Sequence, residues 1–495
     1  MNIIDRAVAW LDPARGLKRA QMRKVLANYD GAEINRRTNH WRRARTDANG
    51  AFLGKLADLQ SVSRDLTRNN PIAARALEVV TNNTVGTGIV PKIKARNGAK
   101  VKDGEAERLN DLLVELAETT QFDADGLHNL YGLQRLVMRT TVESGECLIR
   151  RRWRRPGDGF RVPFQMQVLE PDYLDTSKDG PTPSGGVIVQ GVEFDAIGRR
   201  VAYHLFATHP GASTAWRSSR FTSNRIDASE IAHILRVDRP GQVRGVPWVA
   251  PAMVKLKDLA EYDDAQLMRQ KIAACFAVFI HGSQMVDPVS AESPESEDRL
   301  ENIAPGIIEH VPDGQGVSFA SPPDVGGYLD VMRVSERRVA AAYGITYEAL
   351  SNDYGNVNFS SGRMGWIEMA RNVDSWRWNM LIPQMMGAFE RWFLDGVGVS
   401  DDSAAPRKFK LDWTAPRREM IDPAKEMKAM KEAIRSRLMS WQEAMRVLGY
   451  DPATVITEFV EDDAAFDKNK IASDSDPRRP INGGDPVMVQ ADPGN

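Results

Sequence analysis

The sequence predicts an α+β fold: a mixed body of helices and strands, two long helices enclosing a small irregular module, and a helical end. Three observations carry this. Apolar residues recur at helical spacing across 70–118. The period shortens to two between about 145 and 206. Beyond 246, two helical stretches flank a segment broken by Pro288, Pro294, Pro305, Gly306, Pro312 and Gly314.

Residues 1–50 read as a basic arm. Leu17, Met22, Val25 and Leu26 are interleaved with Lys18, Arg19, Arg23 and Lys24, and a second cluster gathers Arg36, Arg37, Trp41, Arg42, Arg43 and Arg45. Such a segment suits nucleic acid or an acidic partner, and equally a solvated, mobile arm. Residues 51–246 read as an α+β region. Asn70 is placed to cap a helix that has Pro71 in its first position, where a missing N–H costs nothing. Ile72, Ala73, Ala76, Leu77 and Val80 form its apolar face, and Gly86 and Gly88 end it. Leu109, Leu112, Leu113 and Leu116 mark a second helix near 105–118. Phe164, Met166 and Val168 alternate with Gln165 and Gln167 as a half-buried strand. Val192 and Phe194 face Val201, Tyr203 and Leu205 across a turn at Asp195–Gly198, a hairpin.

Residues 247–281 read as one long helix, 282–323 as an irregular module, and 324–343 as a second helix. The two helices could lie antiparallel with the module at their tip. Within the module, Ile307-Ile308 and Val317–Phe319 flank Pro312-Asp313-Gly314, the pattern of a hairpin. Residues 344–420 hold a polar loop and then a long helix at 361–395, which Pro383 should kink or interrupt. Helices follow at 422–438, opened by Asp422 and Pro423, and at 440–448, within a helical end spanning 421–464. From 465 to 495 the composition predicts disorder.

Composition and motifs narrow the function. A formal charge of −2 excludes a molecule built throughout as a basic nucleic-acid binder, so any DNA contact is local. The longest apolar run, Ile272–Ile280, is about half of what a bilayer requires. Asp5, Arg6 and Asp12 interrupt the apolar residues of the N-terminus, against a signal peptide. Cys147 and Cys275, far apart in sequence, suit a reducing compartment and make no metal-ligand spacing. Val85-Gly86-Thr87-Gly88-Ile89-Val90-Pro91 puts proline where a dinucleotide fingerprint needs glycine. There is no phosphate-binding loop, no histidine pair at metal spacing and no nucleophile elbow. Asp123-Ala124-Asp125-Gly126 is too short for a calcium loop. The expectation is a protein without catalytic, cofactor-binding or metal-ligating residues. The basic run Arg150–Arg155 could contact phosphates, pair with acids of a neighbouring subunit, or be plain solvated surface.

Five blocks, in order, resemble the lambda-type portal family of tailed bacteriophages. They are Arg64–Pro71 followed by Val85–Ile89; Gly191–Asp195 with Gly198-Arg199 and Ala202–His204; Ile231–Ile234 followed by Arg239–Gly245; Tyr343–Tyr354 followed by Asn358–Arg363; and Ile421–Glu426. The resemblance covers roughly residues 30–455. Phe359 departs from it, standing where the family pattern has tyrosine.

The resemblance implies a homo-oligomeric ring, usually of twelve copies, at one vertex of the virion capsid, assembled in the host bacterial cytoplasm. It implies a wing of mixed α/β structure (51–246 and 344–420), a stem of two helices (247–281 and 324–343), a clip (282–323) and a helical crown (421–464). The implied partners are the large terminase subunit, major capsid and scaffolding proteins, head-completion and tail adaptor proteins, and double-stranded DNA passing through without sequence specificity. A channel-facing loop is expected at Asn352, Asp353, Tyr354, Gly355, Asn356, Val357 and Asn358, which lacks Lys and Arg, with Ser360 or Ser361 capping the helix that follows. Glu292, Glu295, Glu297 and Asp298 of the clip are expected to dock protein partners. The competing readings are another minor capsid or head–tail adaptor component, and a nucleic-acid enzyme with an unrecognised site.

Overall fold

A computed structural model describes residues 45–99, 101–102, 104–212, 222–274, 278–281, 316–319, 326–401, 408–417, 419–469, 481–482 and 485–486, with scattered residues before 45. The chain divides into two units, 1–52 and 53–495. Most of the expected basic arm lies outside the described residues. Within the first unit, Asp47 accepts a hydrogen bond from the Gly50 amide at 2.7 Å.

The second unit opens with α1 (Leu56–Asn69) and α2 (Pro71–Thr84). Asn70 caps α2 by accepting from the Ile72 and Ala73 amides at 3.0 and 3.1 Å, and Pro71 follows it. Its C-terminal end is held by a distant residue. The Arg377 guanidinium donates to the carbonyls of Thr84 and Asn83 at 2.6 and 2.7 Å, satisfying groups a helix leaves open. Gly88 has φ +122°, and a Cβ there would lie 2.3 Å from the Tyr131 ring, so only glycine fits.

Next come β1 (Val90–Ala95), α3 (Glu105–Glu118), α4 (Leu130–Ser144), β2 (Glu146–Trp153) and β3 (Phe164–Leu169). On α3, Leu109, Leu113 and Leu116 are buried, as their spacing predicts. Strand β3 is buried on both faces at its start, contrary to the half-buried expectation. Gln165 turns inward because its amide donates to the Gln121 and Asp123 carbonyls at 3.0 and 2.8 Å. Five short strands follow: β4 (Gly180–Pro181), β5 (Val187–Val189), β6 (Val192–Phe194), β7 (Arg200–Phe206) and β8 (Ser223–Asp227), antiparallel in sequence order. The expected hairpin is present, with Val192 opposite Tyr203 and the Gly198 amide donating to the Asp195 carbonyl. Strand β9 (Ile231–Leu235) returns to pair with β2, giving the order β3-β2-β9.

Helix α5 (Met253–Ala274) is shorter than the expected 247–281 helix. Residues 278–281 form β10 (Val278–His281) instead, paired antiparallel with β11 (Gly316–Phe319). Val278, Phe279 and Ile280 are β-branched or aromatic, which favours a strand. Val317–Phe319 pairs with Val278–His281; its expected hairpin partner, Ile307-Ile308, lies outside the described residues. Helix α6 (Tyr328–Tyr343) leads back, followed by α7 (Tyr347–Ser351) and α8 (Phe359–Trp376).

Pro383 interrupts the regular α-helix, as expected, without ending the helical run. It sits inside a π-helical stretch, Arg377–Met386, that runs on into α9 (Gly387–Asp401). Proline cannot donate to the carbonyl four residues back, and the widened register absorbs this: the Gly387 amide donates to Ile382, five residues back. Strand β12 (Phe409–Thr414) pairs with β1. Around it, Phe122, Phe164, Phe389, Phe393 and Trp413 form an aromatic cluster at centroid distances of 5.1–6.2 Å. The chain closes with α10 (Pro423–Arg435), α11 (Trp441–Val447) and α12 (Pro452–Asn469). Asp422 and Ser440 cap the first two. Helix α12 continues past residue 465, where disorder was expected; Val455, Phe459 and Phe466 recur at helical spacing. Most of the remaining tail lies outside the described residues.

Candidate functional site

The loop Asn352–Asn358 joins α7 to α8. Thr346 caps α7 by accepting from the Ala349 amide at 3.2 Å. Asn352 ends it in the left-handed region, at φ +56°, a conformation asparagine tolerates. Asp353 pins the base of the loop. It accepts from the Gly355 amide and the Tyr347 hydroxyl, both at 3.1 Å, and pairs with Arg333 at 3.3 Å. The Gly355 N–H, followed by the Tyr347 bond, holds its carboxyl below the usual range. Arg75 donates to the Asn352 side chain at 3.0 Å. Tyr354, Gly355 and Asn356 remain exposed at the tip.

The expected cap at Ser360 or Ser361 is corrected. Asn358 is the cap, accepting from the Ser361 amide at 2.8 Å, while its own amide donates to the Ser361 hydroxyl at 3.1 Å. Ser361 is thus the reciprocal partner in a capping box, and α8 starts at Phe359. Asn352 and Asp353 frame the start of the loop and Asn358 its end. The structure adds Arg75 and Arg333, which arrive from α2 and α6 and which no local pattern near 352 announces.

Helices α5 and α6 run side by side. Tyr262 stacks on Tyr328 at 5.9 Å, the Tyr328 hydroxyl donates to Asp263, and β10 pairs antiparallel with β11 beyond them. The Asp263 hydrogen bond pushes the Tyr328 hydroxyl up to about 12. Near the body, Met253, Leu256, Leu259, Val339, Ala340 and Tyr343 are buried. Elsewhere the pair keeps Val254, Leu267, Met268, Leu329, Val331 and Val334 in solvent, each at least 44% exposed. The clip residues Glu292, Glu295, Glu297 and Asp298 lie outside the described residues.

The basic run 150–155 is partly turned inward. Arg151 bonds Glu230 at 2.6 and 2.8 Å and Asp395 at 3.0 Å, and its guanidinium lies 4.5 Å from the Trp153 ring centre. Arg154 bonds Gln165 at 2.7 Å. These contacts are within the chain, a use of the run that its sequence did not announce.

A buried ionic centre joins both halves of the third sequence block, Ile231–Ile234 and Arg239–Gly245, to β2. Glu146, fully buried, accepts from Arg244 at 2.6 and 2.8 Å, His233 at 2.9 Å and the Gly245 amide at 2.7 Å. Burial pushes its carboxyl up, but the Arg244 charge and the His233 bond outweigh this and hold it at about 2. His233 is pushed down by burial and stays neutral. Its Nδ1 faces the Arg200 guanidinium at 3.1 Å, which leaves Nε2–H to donate to Glu146. Gly245 has no room for a side chain, since a Cβ would lie 2.1 Å from the Gly145 carbonyl oxygen.

Among the described residues, Glu170, Asp172 and His209 place ligand atoms within 4.8 Å of one another. Arg64 already fills the role of a cation there, bonding Asp172 at 3.2 Å and lying 3.8 Å from Glu170. No described helix is long and apolar enough to cross a membrane.

A family model of phage portal proteins, lambda family, matches residues 34–377. The probable portal protein of Halomonas phage phiHAP-1 is 27% identical over 454 residues, covering 88% of this chain and 86% of its own. Portal protein B of Escherichia phage lambda is 21% identical, over 87% of this chain and 88% of its own. Among solved structures, a chain from the neck of a native gene transfer agent particle aligns over 80% of this chain and 94% of its own, at 16% identity and a TM-score of 0.46. An HK97-family phage portal protein from Corynebacterium diphtheriae aligns over 74% of this chain and 97% of its own, at 11% identity and a TM-score of 0.35. The family model covers well over half of the sequence, from before α1 to the first residue of the π-helical stretch, and the chain belongs to the lambda family of phage portal proteins.

Proposed function

We propose that this chain is the subunit of a closed ring at one capsid vertex, through which double-stranded DNA enters and leaves without sequence-specific recognition and without bond chemistry. Helices α5 and α6 are its stem, the module between them its clip, the mixed α/β body its wing, and α10–α12 its crown. The clip acids Glu292, Glu295, Glu297 and Asp298 dock the large terminase subunit during filling and head-completion or tail adaptor proteins afterwards. The loop Asn352–Asn358 faces the channel.

Beyond family membership, one observation carries the reading: the paired helices α5 and α6 keep six large apolar side chains in solvent. Packing them between copies removes that surface from water, and a head-to-tail contact that closes makes a ring. The loop suits a polyanion that must pass without being held. Its tip has no Lys or Arg, and the nearby Arg75 and Arg333 are engaged with Asn352 and Asp353.

Electron microscopy and mass photometry of the purified chain test the ring. Rings with a central hole near the width of duplex DNA are expected; monomers alone at micromolar concentration, across several salt conditions, would overturn it. The loop is tested by Asn356→Lys together with Tyr354→Lys, which spares the cap at Asn358. Packaging or ejection should slow, and more so at low salt. Rates equal to the parent at low salt, with rings intact, would remove the loop from the channel.

A further inference from the structure

We propose that the crown carries its own subunit-to-subunit contact, in which the acidic face of α12 on one copy docks on the basic face of α10 on the next. The proposal rests on the ring reading and adds to it a second, electrostatic interface.

The two helices are oppositely charged, and in each the charge is turned outward. On α12, Glu458, Glu461 and Asp462 fall at i, i+3 and i+4, one exposed stripe. The half-buried positions Val455, Asp463 and Phe466 lie on the flank of the helix next to Asp462. On α10, Lys428, Lys431 and Arg435 fall at i, i+3 and i+7, again exposed; Glu432 beside them pairs with Arg435 at 3.9 Å and leaves Lys428 and Lys431 as the basic core of the face, while Met430, Ala433 and Ile434 are half-buried. Helix α11 packs against both, with Ala444 buried between them. The module is held to the body by the Lys92–Asp451 ion pair and by the close approach of Gly449 to the Arg417 backbone, where a Cβ would lie 2.6 Å from its nitrogen. These contacts anchor the turn between α11 and α12 to the body.

A module with one acidic and one basic outward face is complementary to a copy of itself, head to tail. That is the symmetry a ring requires, and like faces repel, which suppresses face-to-face dimers. Exposed charge pairs are individually weak, so the contact should act as a set and should be sensitive to salt.

The test uses the full chain and three variants. Glu458→Lys with Glu461→Lys and Asp462→Lys reverses one face; Lys428→Glu with Lys431→Glu reverses the other; the third variant carries both sets. The readout is the subunit concentration at half assembly, by mass photometry at low and at moderate salt. Each single-face reversal should raise it roughly tenfold at low salt, with the difference shrinking as salt rises. The combined variant should recover most of the parent's assembly, which a merely misfolded crown would not do. Parent-like assembly in both reversals, with rings present, overturns the crown contact and leaves the ring reading standing. Combined reversal that is no better than the singles also overturns it. A parent that stays monomeric overturns the ring reading itself, and the contact with it.

Discussion

Removing the carboxylate of Glu146 should be the most damaging single change within the body. In Glu146→Ala, Arg244 is left as a lone charge with 2% of its surface exposed, its guanidinium otherwise bonded, among the described residues, only to the Gln190 carbonyl at 3.3 Å. Losing one partner of a buried pair costs about 3–5 kcal/mol, against a total stability on the order of 5–15 kcal/mol. Acid gives an independent measure. The Glu146 carboxyl is held at about 2, well below its ordinary value of 4.5, so its stabilisation is complete above 4.5 and is lost as pH falls toward 2. That gap corresponds to roughly 3 kcal/mol. His233 acts in the same direction: it is neutral in the fold and must be charged in acid, so its contribution begins to fail as pH falls below its ordinary 6.5. Chemical denaturation of the parent, Glu146→Ala, Glu146→Gln, Arg244→Met and the Glu146→Gln, Arg244→Met pair checks this. The pair should cost less than the two singles added, because neither charge is then stranded. An alanine variant within about 1 kcal/mol of the parent would refute the reasoning. So would a Glu146→Gln variant whose stability falls as steeply as the parent's below pH 4.5.

Asn358→Ala should lower stability by about 1 kcal/mol through loss of the α8 cap, while Ser360→Ala stays within about 0.5 kcal/mol; thermal melts of the two variants distinguish the caps. Gly88→Ala should cost more than about 2 kcal/mol, since the new methyl meets the Tyr131 ring in a backbone conformation alanine avoids, and a denaturation midpoint near the parent's would contradict the close approach. Arg151→Ala should cost about 2–4 kcal/mol, because Glu230 and Asp395 lose their partner and Trp153 loses the guanidinium over its ring; a larger effect on DNA passage than on melting would restore a DNA role for the basic run.

What was legible in the sequence was local. Asn70-Pro71, Asp422-Pro423 and the Asp195–Gly198 turn each complete their hydrogen bonds within four residues, so the pattern alone places them. The α8 cap failed by less than one turn. Asn358, Ser360 and Ser361 are all capping types, and only the reciprocal bond between 358 and 361 separates them. The apolar run 272–280 reads as helix because a short run has no decisive period, and the partner of its Val278–His281 end lies far along the chain at Gly316–Phe319. Arg75, Arg333 and the Glu146 centre had no local signal at all. Glu146 and Arg244 are 98 residues apart, and each looks like a surface charge until the fold brings them together.

The same long-range contacts explain how the paired helices are held. The segment that launches α5 follows directly from Arg244 and Gly245, and its Trp248 amide donates to the Val142 carbonyl at 3.2 Å, near the end of α4. Gln384, one residue after the proline of the π-helical stretch, bonds both backbone groups of Leu235 at 2.8 and 3.1 Å and so ties β9 to that stretch. Trp248 then packs on Trp376 at 5.0 Å, and Trp376 also lies against Gly344, the left-handed residue that ends α6. Asn372 adds a bond to the Gly344 carbonyl at 2.9 Å. The root of α5 and the end of α6 are thus gripped by the same turn of α8, the helix whose first turn carries the loop 352–358. The root of α5, the end of α6 and the loop 352–358 are therefore joined through one helix.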